Sequence, residues 1–515
     1  MLPEFRTEPV VDFSLEANRR AMLEAVADVE SRFGRHYPIC IRGREVRTAK
    51  DFESTDPSDP SRVVGRVAAA TPELADEAVR AAWDAFPAWA ATPPDARARV
   101  LLRAAAIMRR RRFELDAVEV LEAGKPWLEA DGDVAEAIDF LDFYAREMMR
   151  YSERQPLVPF PGEENELTYT PLGVIVTIPP WNFPLAIACG MATAALVAGN
   201  TVVLKPATPT PVIAWYLYDI LREAGLPDGV LQFLPGPGGA IGDVLVGHPL
   251  TRAVSFTGSM AVGLHVNELA ARQAPGQRWI KRVVAEMGGK DAIVVAEDSD
   301  LGAAAAAIVA SAFGFQGQKC SACSRAIVVD EVYERVTSEV VRLASAIKVG
   351  PARDPANTMG PVITESAMRG ILDYIEIGRG EGTVLCGGNR VDRPGWFVEP
   401  TVIGDVRPGA RVEQEEIFGP VLACVRARSY DHAIEVANDT QYGLTGAVFT
   451  RSRARLEKAR REFRCGNLYL NRKCTGALVG VQPFGGFDMS GTDSKAGGRD
   501  YLGLFMQAKV VCERF

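Results

Sequence analysis

The chain has 515 residues, of which 47% are hydrophobic and 24% are charged. This composition excludes a disordered, collagen-like or disulfide-scaffold protein, and the length allows several hydrophobic cores. Lysine and arginine number 58 against 66 aspartates and glutamates, a formal charge of −8, which gives no electrostatic reason to bind nucleic acid or an anionic membrane.

Cysteine and histidine usage points to a reducing compartment and to no metal centre. The 9 cysteines are scattered, and only Cys320 and Cys323 lie close together, as a C-x-x-C pair. This pattern argues against a secreted disulfide framework, so we expect a cytoplasmic location. With 4 histidines and no second C-x-x-C, nothing completes a zinc site.

The sequence shows no targeting signal. Its first residues are charged and lack the apolar run of a signal peptide. Residues 167–204 carry no charge and are long enough to span a bilayer, but several prolines interrupt them. Because proline breaks helix and sheet interiors, we expect a buried strand, a loop, a small-residue helix and a second strand there.

The N-terminal part is predicted to be helical. Thr71 suits an N-cap and Pro72 the first helical position, and apolar residues then recur at helical spacing. A second helical pattern covers about 95–123. The four arginines at 109–112 are expected to form a solvated helix face rather than to contact nucleic acid.

From residue 174 onward, short apolar runs alternate with helical patterns. Strands are predicted at 174–178, 201–204, 230–234, 253–257, 292–295, 326–329 and 421–425. Helices are predicted at 211–224, 301–313, 331–347 and 430–438. Buried strands separated by helices indicate two units with parallel α/β sheets. Residues 151–170 and the tail at 507–512 are predicted to form extended arms.

Cys320 is a candidate nucleophile. It follows a glycine-rich turn, where backbone amides can approach the sulfur and lower the pKa of its thiol. The pattern alone leaves a buried structural cysteine equally open. A redox pair with Cys323 is a further alternative.

Other polar residues follow apolar runs, where α/β sheets bind ligands. Burial of Glu286 would raise its pKa toward that of a useful general base, and Asn182, in a proline-bounded turn, could donate to an oxyanion. Lys205 ends a strand, and helix amides after Ser259 could bind phosphate. Each residue also has an ordinary structural interpretation, as a capping acid, a turn asparagine or a loop residue.

Seven sequence blocks in one order carry a family resemblance. They are Pro-Trp-Asn182-Phe-Pro, Leu-Lys205-Pro-Ala, Phe-Thr-Gly-Ser259, Glu286-Met-Gly-Gly-Lys, Gly-Gln-Lys-Cys320, Glu416-Ile-Phe-Gly-Pro and Pro483-Phe-Gly-Gly-Phe. With these, the chain resembles the aldehyde dehydrogenase superfamily from about residue 40 to its end. The resemblance implies an α/β fold with two doubly wound domains and a β-arm for oligomerisation.

The resemblance implies a catalytic role for three residues. Cys320 would attack the aldehyde, and its backbone N–H together with the Asn182 amide would hold the oxyanion. After hydride transfer to nicotinamide, Glu286 would activate the water that hydrolyses the thioester.

The family's NAD contacts also map onto this chain. The implied cofactor-binding residues are Ile178, Pro180, Trp181, Lys205, Ala207, Thr208, Gly258, Ser259, Glu416 and Phe418. Many NAD-specific relatives carry an acid at the position of Thr208. Since threonine does not repel a 2′-phosphate, we expect NAD use with some tolerance of NADP.

Three stretches resemble one branch of the superfamily, which oxidises L-glutamate γ-semialdehyde to L-glutamate in proline breakdown. They are Gly-Gln-Lys-Cys320-Ser-Ala, Thr475-Gly-Ala477 and residues 484–498. By this resemblance the substrate-binding residues are Phe183 and Phe484 along the aliphatic chain, Ser321, Gly476 and Ala477 at the α-carboxylate, and Glu136 at the α-ammonium. Glu129 and Asp133 share the helix of Glu136, which leaves that last role the most open.

Other functions remain open at this point. The runner-up is an enzyme for another small aldehyde, such as succinate semialdehyde. A non-catalytic NAD-binding protein would need a lost nucleophile or base, and a serine hydrolase would need a G-x-S-x-G motif, which is missing.

The expected organisation follows from the resemblance. Residues 1–150 and 171–287 would form a Rossmann-like NAD-binding domain, and 288–482 the catalytic domain. Residues 151–170 and 483–515 would form the oligomerisation arm. The expected partners are a small-molecule substrate and further copies of the chain, as a homodimer or higher homo-oligomer, with no nucleic acid, membrane or metal.

Overall fold

The computed structural model describes residues 4–515. Residues 1–3, on which the expectation of no signal peptide partly rests, lie outside the described residues. Over 4–515, no helix is long and apolar enough to cross a membrane. The uncharged stretch instead contains strand Val174–Ile178, helix Ala186–Val197 and strand Thr201–Leu204, as predicted.

The helices are close to those predicted. They are α1 (Glu16–Ser31), α2 (Pro72–Ala90), α3 (Pro94–Arg110), α4 (Arg112–Glu122), α5 (Trp127–Ser152), α6 (Ala186–Val197), α7 (Pro211–Glu223), α8 (Gly238–Gly247), α9 (Met260–Ala271), α10 (Leu301–Phe313), α11 (Tyr333–Ser345), α12 (Glu365–Glu381), α13 (Arg411–Gln414), α14 (Tyr430–Asn438) and α15 (Arg453–Glu462). Thr71 caps α2 by accepting a hydrogen bond from the Leu74 amide. The pattern over 95–123 is two helices, which meet at Arg111.

Of the seven predicted strands, two have the predicted bounds, three are longer by one or two residues, one is longer by three and one is shorter by two. They are β1 (Arg35–Tyr37), β2 (Ile39–Ile41), β3 (Arg44–Val46), β4 (Asp51–Asp56), β5 (Asp59–Ala68), β6 (Glu163–Pro171), β7 (Val174–Ile178), β8 (Thr201–Leu204), β9 (Leu231–Phe233), β10 (Thr251–Thr257), β11 (Arg282–Glu286), β12 (Asp291–Val295), β13 (Cys323–Val329), β14 (Thr383–Cys386), β15 (Thr401–Val406), β16 (Val421–Ala427), β17 (Tyr442–Gly443), β18 (Thr445–Phe449), β19 (Asn467–Leu470), β20 (Phe487–Asp488) and β21 (Met506–Arg514). Smaller sheets join β1, β5 and β4, and β17 with β20.

The first large sheet has the strand order β11-β10-β7-β8-β9-β2-β3. Its strands β7 to β11 pair in parallel, and the edge pair β2–β3 is antiparallel. Helices α2, α8 and α9 pack on one face, and α3 to α7 pack on the other. Because helices cover both faces, these strands are continuous apolar runs.

The second large sheet has the order β14-β15-β16-β13-β12-β18-β19 and is parallel except at its β14 edge. Helices α12, α14 and α15 cover one face, and α10 and α11 cover the other. Both sheets are therefore doubly wound, which confirms the predicted fold class. Polar residues that follow these parallel strands are brought to the carboxyl edges of the sheets, where ligands bind.

The two predicted arms pair with each other. Strand β6 runs antiparallel to β21, with Pro171 opposite Met506 and Glu163 opposite Arg514. The resulting two-stranded ribbon carries exposed apolar side chains, including Val510 at 64% and Phe515 at 83% exposure.

The arginine run differs from the predicted solvated face. Arg109 bridges Glu8 and Asp142 at 2.8 and 2.6 Å, and Arg112 pairs with the buried Asp131 at 2.6 Å. The run therefore ties the N-terminal segment onto helices α3 to α5. The sequence could not reveal this, because the acidic partners are far away along the chain.

Candidate active site

A cleft of about 740 Å³ opens beside the carboxyl edge of the first sheet. It is lined by all the residues predicted to bind the cofactor, which are Ile178, Pro180, Trp181, Lys205, Ala207, Thr208, Gly258, Ser259, Glu416 and Phe418. Cys320 and Asn182 line the same cleft. The fold thus brings residues from both units to one place, although up to 240 positions separate them (Ile178 to Phe418).

Cys320 follows a tight turn that is held by buried hydrogen bonds. The turn Gly314–Gly317 places Phe315 and Gln316 at positive φ, 49° and 58°. The Gln316 side chain donates to the carbonyls of Gly124 and Pro361 at 3.0 and 2.7 Å. This bonding offsets the cost of the left-handed backbone and fixes the position of the cysteine that follows.

The Cys320 thiol is protonated at rest. Burial raises its pKa well above the ordinary range, and the carboxylates of Asp291, Glu416 and Glu286 raise it further. The backbone amide of Ser321 lowers this pKa, as expected, but burial and the three acids outweigh it. The thiol proton must therefore be lost before or during the attack on an aldehyde.

Cys323 has a different environment. It is fully buried at the start of β13 and directs its thiol to the Arg325 carbonyl at 3.4 Å. All nine cysteines are free thiols. Across 4–515, no group of three or more His, Cys, Asp or Glu residues could hold a metal ion. Cys323 therefore lacks the access to the cleft that Cys320 has.

Asn182 contacts the loop that carries Cys320. Its side-chain Nδ2 donates to the Gln318 carbonyl at 3.0 Å, and the residue is only 3% exposed. A carboxamide nitrogen has two N–H donors, so one remains for an oxygen beside Cys320. This geometry suits the stabilisation of a developing oxyanion.

Glu286 ends strand β11 and is held by the segment 484–496. Its Oε1 accepts from the Ser494 hydroxyl at 2.6 Å and amide at 3.3 Å, and its Oε2 accepts from the Gly486 amide at 3.2 Å. Burial raises its pKa to about 7, although these hydrogen bonds oppose the rise. The carboxyl group is thus suited to exchange a proton near neutrality.

Glu416 and Phe418 border the cleft from the second unit. The Glu416 carboxylate accepts from the Gly289 amide at 3.1 Å, and a Cβ at Gly288 would collide with that carboxylate. Phe418 stands at φ 56° with its ring edge-on to Trp181, 5.4 Å between centroids. A glycine at position 288 is therefore needed for the close approach of the Glu416 carboxylate to the backbone that follows Glu286.

Lys205 is suited to bind the hydroxyls of a nucleotide. Its ammonium is 5% exposed and donates to the Pro206 carbonyl at 3.1 Å. Burial lowers its pKa to about 8, and no carboxylate of residues 4–515 pairs with it. Two N–H donors therefore remain for ligand oxygens. At Ser259, the N-cap of α9 makes no side-chain capping bond, so amides are free for a phosphate.

The residues predicted to bind substrate lie outside this cleft, whose lining includes none of the six. Phe183 packs against Phe315, 6.4 Å between centroids, and the Lys125 ammonium lies 4.4 Å from its ring centroid. The Ser321 carbonyl accepts from the Cys474 thiol at 3.5 Å, just before the loop that contains Gly476 and Ala477.

Gly476 has φ 77°, which favours glycine, and Phe484 pairs with Ala496 through backbone hydrogen bonds of 2.9 and 2.7 Å. Ser321 is adjacent to Cys320, and Phe484 lies two residues before Gly486, which holds Glu286. Of the predicted substrate residues, Ser321 thus lies next to the nucleophile and Phe484 lies near the base, and all six lie outside the lining of the cofactor cleft.

The three acids of helix α5 that the sequence left open for the α-ammonium have different contacts. Glu129 pairs with Lys319 at 2.6 Å, and Asp133 pairs with the buried Lys125. Glu136 makes no hydrogen bond or ion pair within residues 4–515. Its pKa is raised to about 8 by burial and by the nearby Asp133. Of the three, Glu136 alone is free to receive a cationic group.

Sequence reasoning missed several residues of this site. Lys319, Lys125 and Ser494 were not predicted to have a role. Lys319 had a visible signal, because it directly precedes Cys320. Ser494 and Glu286 are 208 positions apart in the sequence, and no local sequence pattern predicts their contact.

Comparison with known proteins gives a consistent result. Residues 45–511 match the sequence model of the aldehyde dehydrogenase family. The 1-pyrroline-5-carboxylate dehydrogenases of Geobacillus kaustophilus and of Bacillus cereus strain B4264 are 57% and 53% identical over 515 and 513 residues, each covering 100% of both chains. A solved 1-pyrroline-5-carboxylate dehydrogenase from Thermus with bound NAD superposes with a TM-score of 0.98, at 52% identity and 100% coverage of both chains.

Proposed function

The chain belongs to the aldehyde dehydrogenase family, and on that premise we propose that it oxidises L-glutamate γ-semialdehyde to L-glutamate with NAD. The semialdehyde is in equilibrium with 1-pyrroline-5-carboxylate, so the enzyme acts in proline breakdown. The observation that carries the proposal is that Cys320 and Asn182 line the same cleft as every predicted cofactor residue. An enzyme for another small aldehyde, such as succinate semialdehyde, is the alternative.

Three residues of the chain carry out the reaction. The Cys320 thiol gives up its proton to solvent as its sulfur bonds to the aldehyde carbon, and the oxyanion of the resulting thiohemiacetal is held by the Asn182 amide and the Cys320 N–H. Held by the cofactor residues, NAD would supply the hydride acceptor, and loss of a hydride from the thiohemiacetal would leave a thioester on Cys320. Glu286 then takes a proton from a water molecule as the oxygen of that water attacks the thioester carbon. The C–S bond breaks, L-glutamate is released, and the proton returns to the Cys320 sulfur to give the thiol.

The cofactor residues fit NAD. Lys205 offers two N–H donors to ribose hydroxyls, the first turn of α9 after Ser259 receives the pyrophosphate, and Glu416 with Phe418 borders the nicotinamide end. Thr208 stands at the ribose end without an acid. Because nothing there repels a 2′-phosphate, we propose that NADP is also accepted.

The tolerance of NADP depends on position 208. Thr208→Glu is expected to lower kcat/KM for NADP by about tenfold or more, because like charges brought together repel, and to change kcat/KM for NAD little. Thr208→Val, which removes the hydroxyl without adding charge, is the matched control and should keep NADP turnover. The hypothesis fails if the wild-type chain reduces no NADP at saturating aldehyde.

Recognition of the amino acid is assigned to residues around Cys320. Ser321 and the amides of Gly476 and Ala477 bind the α-carboxylate, while Phe183 and Phe484 flank the aliphatic chain. Glu136 binds the α-ammonium: within residues 4–515 it has no hydrogen-bond or ion-pair partner, and a bound cation would favour its carboxylate form.

The substrate class is tested by comparing two aldehydes that differ in the α-ammonium. Wild type should prefer L-glutamate γ-semialdehyde to succinate semialdehyde in kcat/KM. Glu136→Gln should raise KM for the former about 10- to 100-fold, as for a lost hydrogen bond to a charged group, and leave the latter unchanged. Asp142→Asn, also on α5 but paired with Arg109, is the control. Equal effects of Glu136→Gln on both aldehydes would remove the assigned role.

We further propose that the division into domains follows the sequence expectation. Residues 1–150 and 171–287 bind the cofactor, 288–482 carry the nucleophile, and 151–170 with 483–515 form the arm. The ribbon β6–β21 exposes apolar side chains that a second copy would cover. The chain is thus a homodimer or higher homo-oligomer, and a single subunit mass in sedimentation equilibrium would disprove this.

The proposed compartment is the cytoplasm. Catalysis needs the Cys320 thiol reduced, and all nine cysteines are free thiols in the structure. A reducing compartment keeps such thiols free. Fractionation that recovers the chain with an oxidising compartment would contradict this location.

A further inference from the structure

The general base of the proposed reaction is held by a loop at the start of the segment assigned to the arm. Residues 484–496, called the base loop here, surround the end of strand β11. The base loop supplies all three hydrogen bonds to the Glu286 carboxylate, and the shortest comes from the Ser494 hydroxyl at 2.6 Å. Ser494 itself is only 6% exposed. These three donors therefore form a preformed binding site for the Glu286 carboxylate.

The base loop is fixed to β11 independently of Ser494. Thr492 exchanges hydrogen bonds with Ala285, at 2.9 Å through its amide and 3.1 Å through its hydroxyl oxygen. The Met287 amide donates to the Ser490 carbonyl at 2.7 Å. Loss of the Ser494 hydroxyl alone should thus leave the loop in place.

Glu286 does not line the cofactor cleft, whereas Cys320 does. In the resting chain the base is thus turned toward Ser494 rather than into the space where the cofactor binds. Hydrolysis of the thioester comes after hydride transfer, so a base held aside leaves room for the nicotinamide first. Phe484, at the start of the same loop, is a proposed substrate contact.

From this geometry we infer that Ser494 is the positioning residue of the general base: its hydroxyl holds the Glu286 carboxylate clear of the cofactor cleft. The inference rests on the proposed function, because it assigns Ser494 to the hydrolytic step of that reaction. Ser494 acts through Glu286 and need not contact the substrate.

The charged groups that face Glu286 are few. The Lys495 ammonium favours its ionised form, but that ammonium also donates to the Gly466 and Gly485 carbonyls and pairs with Asp493. The Cys320 thiol and the Tyr501 phenol face it as well and are neutral at rest. Removal of the Ser494 hydroxyl takes away the largest contribution that lowers the pKa of Glu286, so this pKa should rise.

The experiment compares Ser494→Ala with Ser494→Thr, which restores a hydroxyl, and with Met489→Ala, which shortens an exposed side chain of the same loop. NADH formation is followed before and during the steady state, across pH, with L-glutamate γ-semialdehyde and with propanal. For Ser494→Ala we expect a full burst of NADH per active site, and kcat about tenfold lower below neutral pH that recovers at higher pH. Ser494→Thr should restore the wild-type profile, and Met489→Ala should not move it.

Two results would overturn the inference. One is a Ser494→Ala profile that coincides with wild type. The other is a loss of burst and of kcat at every pH that Ser494→Thr does not restore, which is the signature of a structural role. If wild type oxidises propanal but not L-glutamate γ-semialdehyde, the proposed substrate is wrong, while the role of Ser494 is still read from the propanal profiles.

Discussion

Replacement of Cys320 with serine is expected to lower kcat/KM for L-glutamate γ-semialdehyde by at least about a thousandfold. A serine hydroxyl is far less nucleophilic than a thiolate at neutral pH, and its alkoxide would form beside the same carboxylates that already raise the pKa of the thiol. The surrounding turn should stay folded, because Gln316 and Asn182, rather than the thiol, hold it. Steady-state NADH formation measures the loss.

The matched control is Cys323→Ser. Cys323 is fully buried, so its replacement should cost some stability and leave the thiohemiacetal chemistry intact. This pair of variants separates the nucleophile from the redox alternative, in which both cysteines of the C-x-x-C act together. If Cys323→Ser abolished turnover in a folded enzyme, the redox pair would be the better account.

Replacement of Glu286 with glutamine is expected to give the second largest loss, about 10²- to 10⁴-fold in kcat, as for a missing general base. The first half of the reaction should survive, because attack by Cys320 and hydride transfer do not need a proton acceptor for water. Stopped-flow measurements should show one NADH per active site followed by near arrest. The one oxygen of glutamine can still accept from Ser494, while its carboxamide nitrogen cannot accept from the Gly486 amide, so most of the geometry is retained with one hydrogen bond lost.

The pH dependence follows from the same residue. Hydrolysis needs the Glu286 carboxylate, whose pKa burial raises to about 7, so wild-type kcat should increase as pH rises through about 7. Glu286→Gln should lose this increase of kcat with pH. Asp493→Asn, which changes a charge in the base loop, should keep it. A Glu286→Gln enzyme that also lost its burst would instead make Glu286 the base that activates Cys320.

Much of the fold was predictable because strands that are buried on both faces of a sheet are continuous apolar runs in the sequence. The strand Thr201–Leu204 and the helix Leu301–Phe313 were predicted with the bounds that the structure has. Apolar runs bounded by turn residues determine such elements locally. The pairing of β6 with β21 could not be predicted this way, since more than 300 positions separate the paired strands, as for Thr168 and Lys509.

The residues of the site also fall into two groups, those that a local sequence pattern predicts and those whose contacts depend on distant parts of the chain. Residues that end strands, such as Lys205, were predictable because parallel strands bring their carboxyl ends to one edge. The direction of the Cys320 pKa was predicted wrongly, because burial raises it and three acids distant in sequence raise it further. The bond from Ser494 to Glu286 likewise depends on how a distant loop packs against β11. Local patterns carry no information on such contacts.

The most direct test of the account is to trap the covalent intermediate. Glu286→Gln enzyme is mixed with L-glutamate γ-semialdehyde and NAD, quenched in acid and digested with trypsin. The peptide that follows Lys319 and ends at Arg325 contains both cysteines, so fragmentation must locate the modification. The account predicts one glutamyl acyl group on Cys320, formed only when NAD is present. An unmodified Cys320 after a full NADH burst, or an acyl group on Cys323, would contradict it.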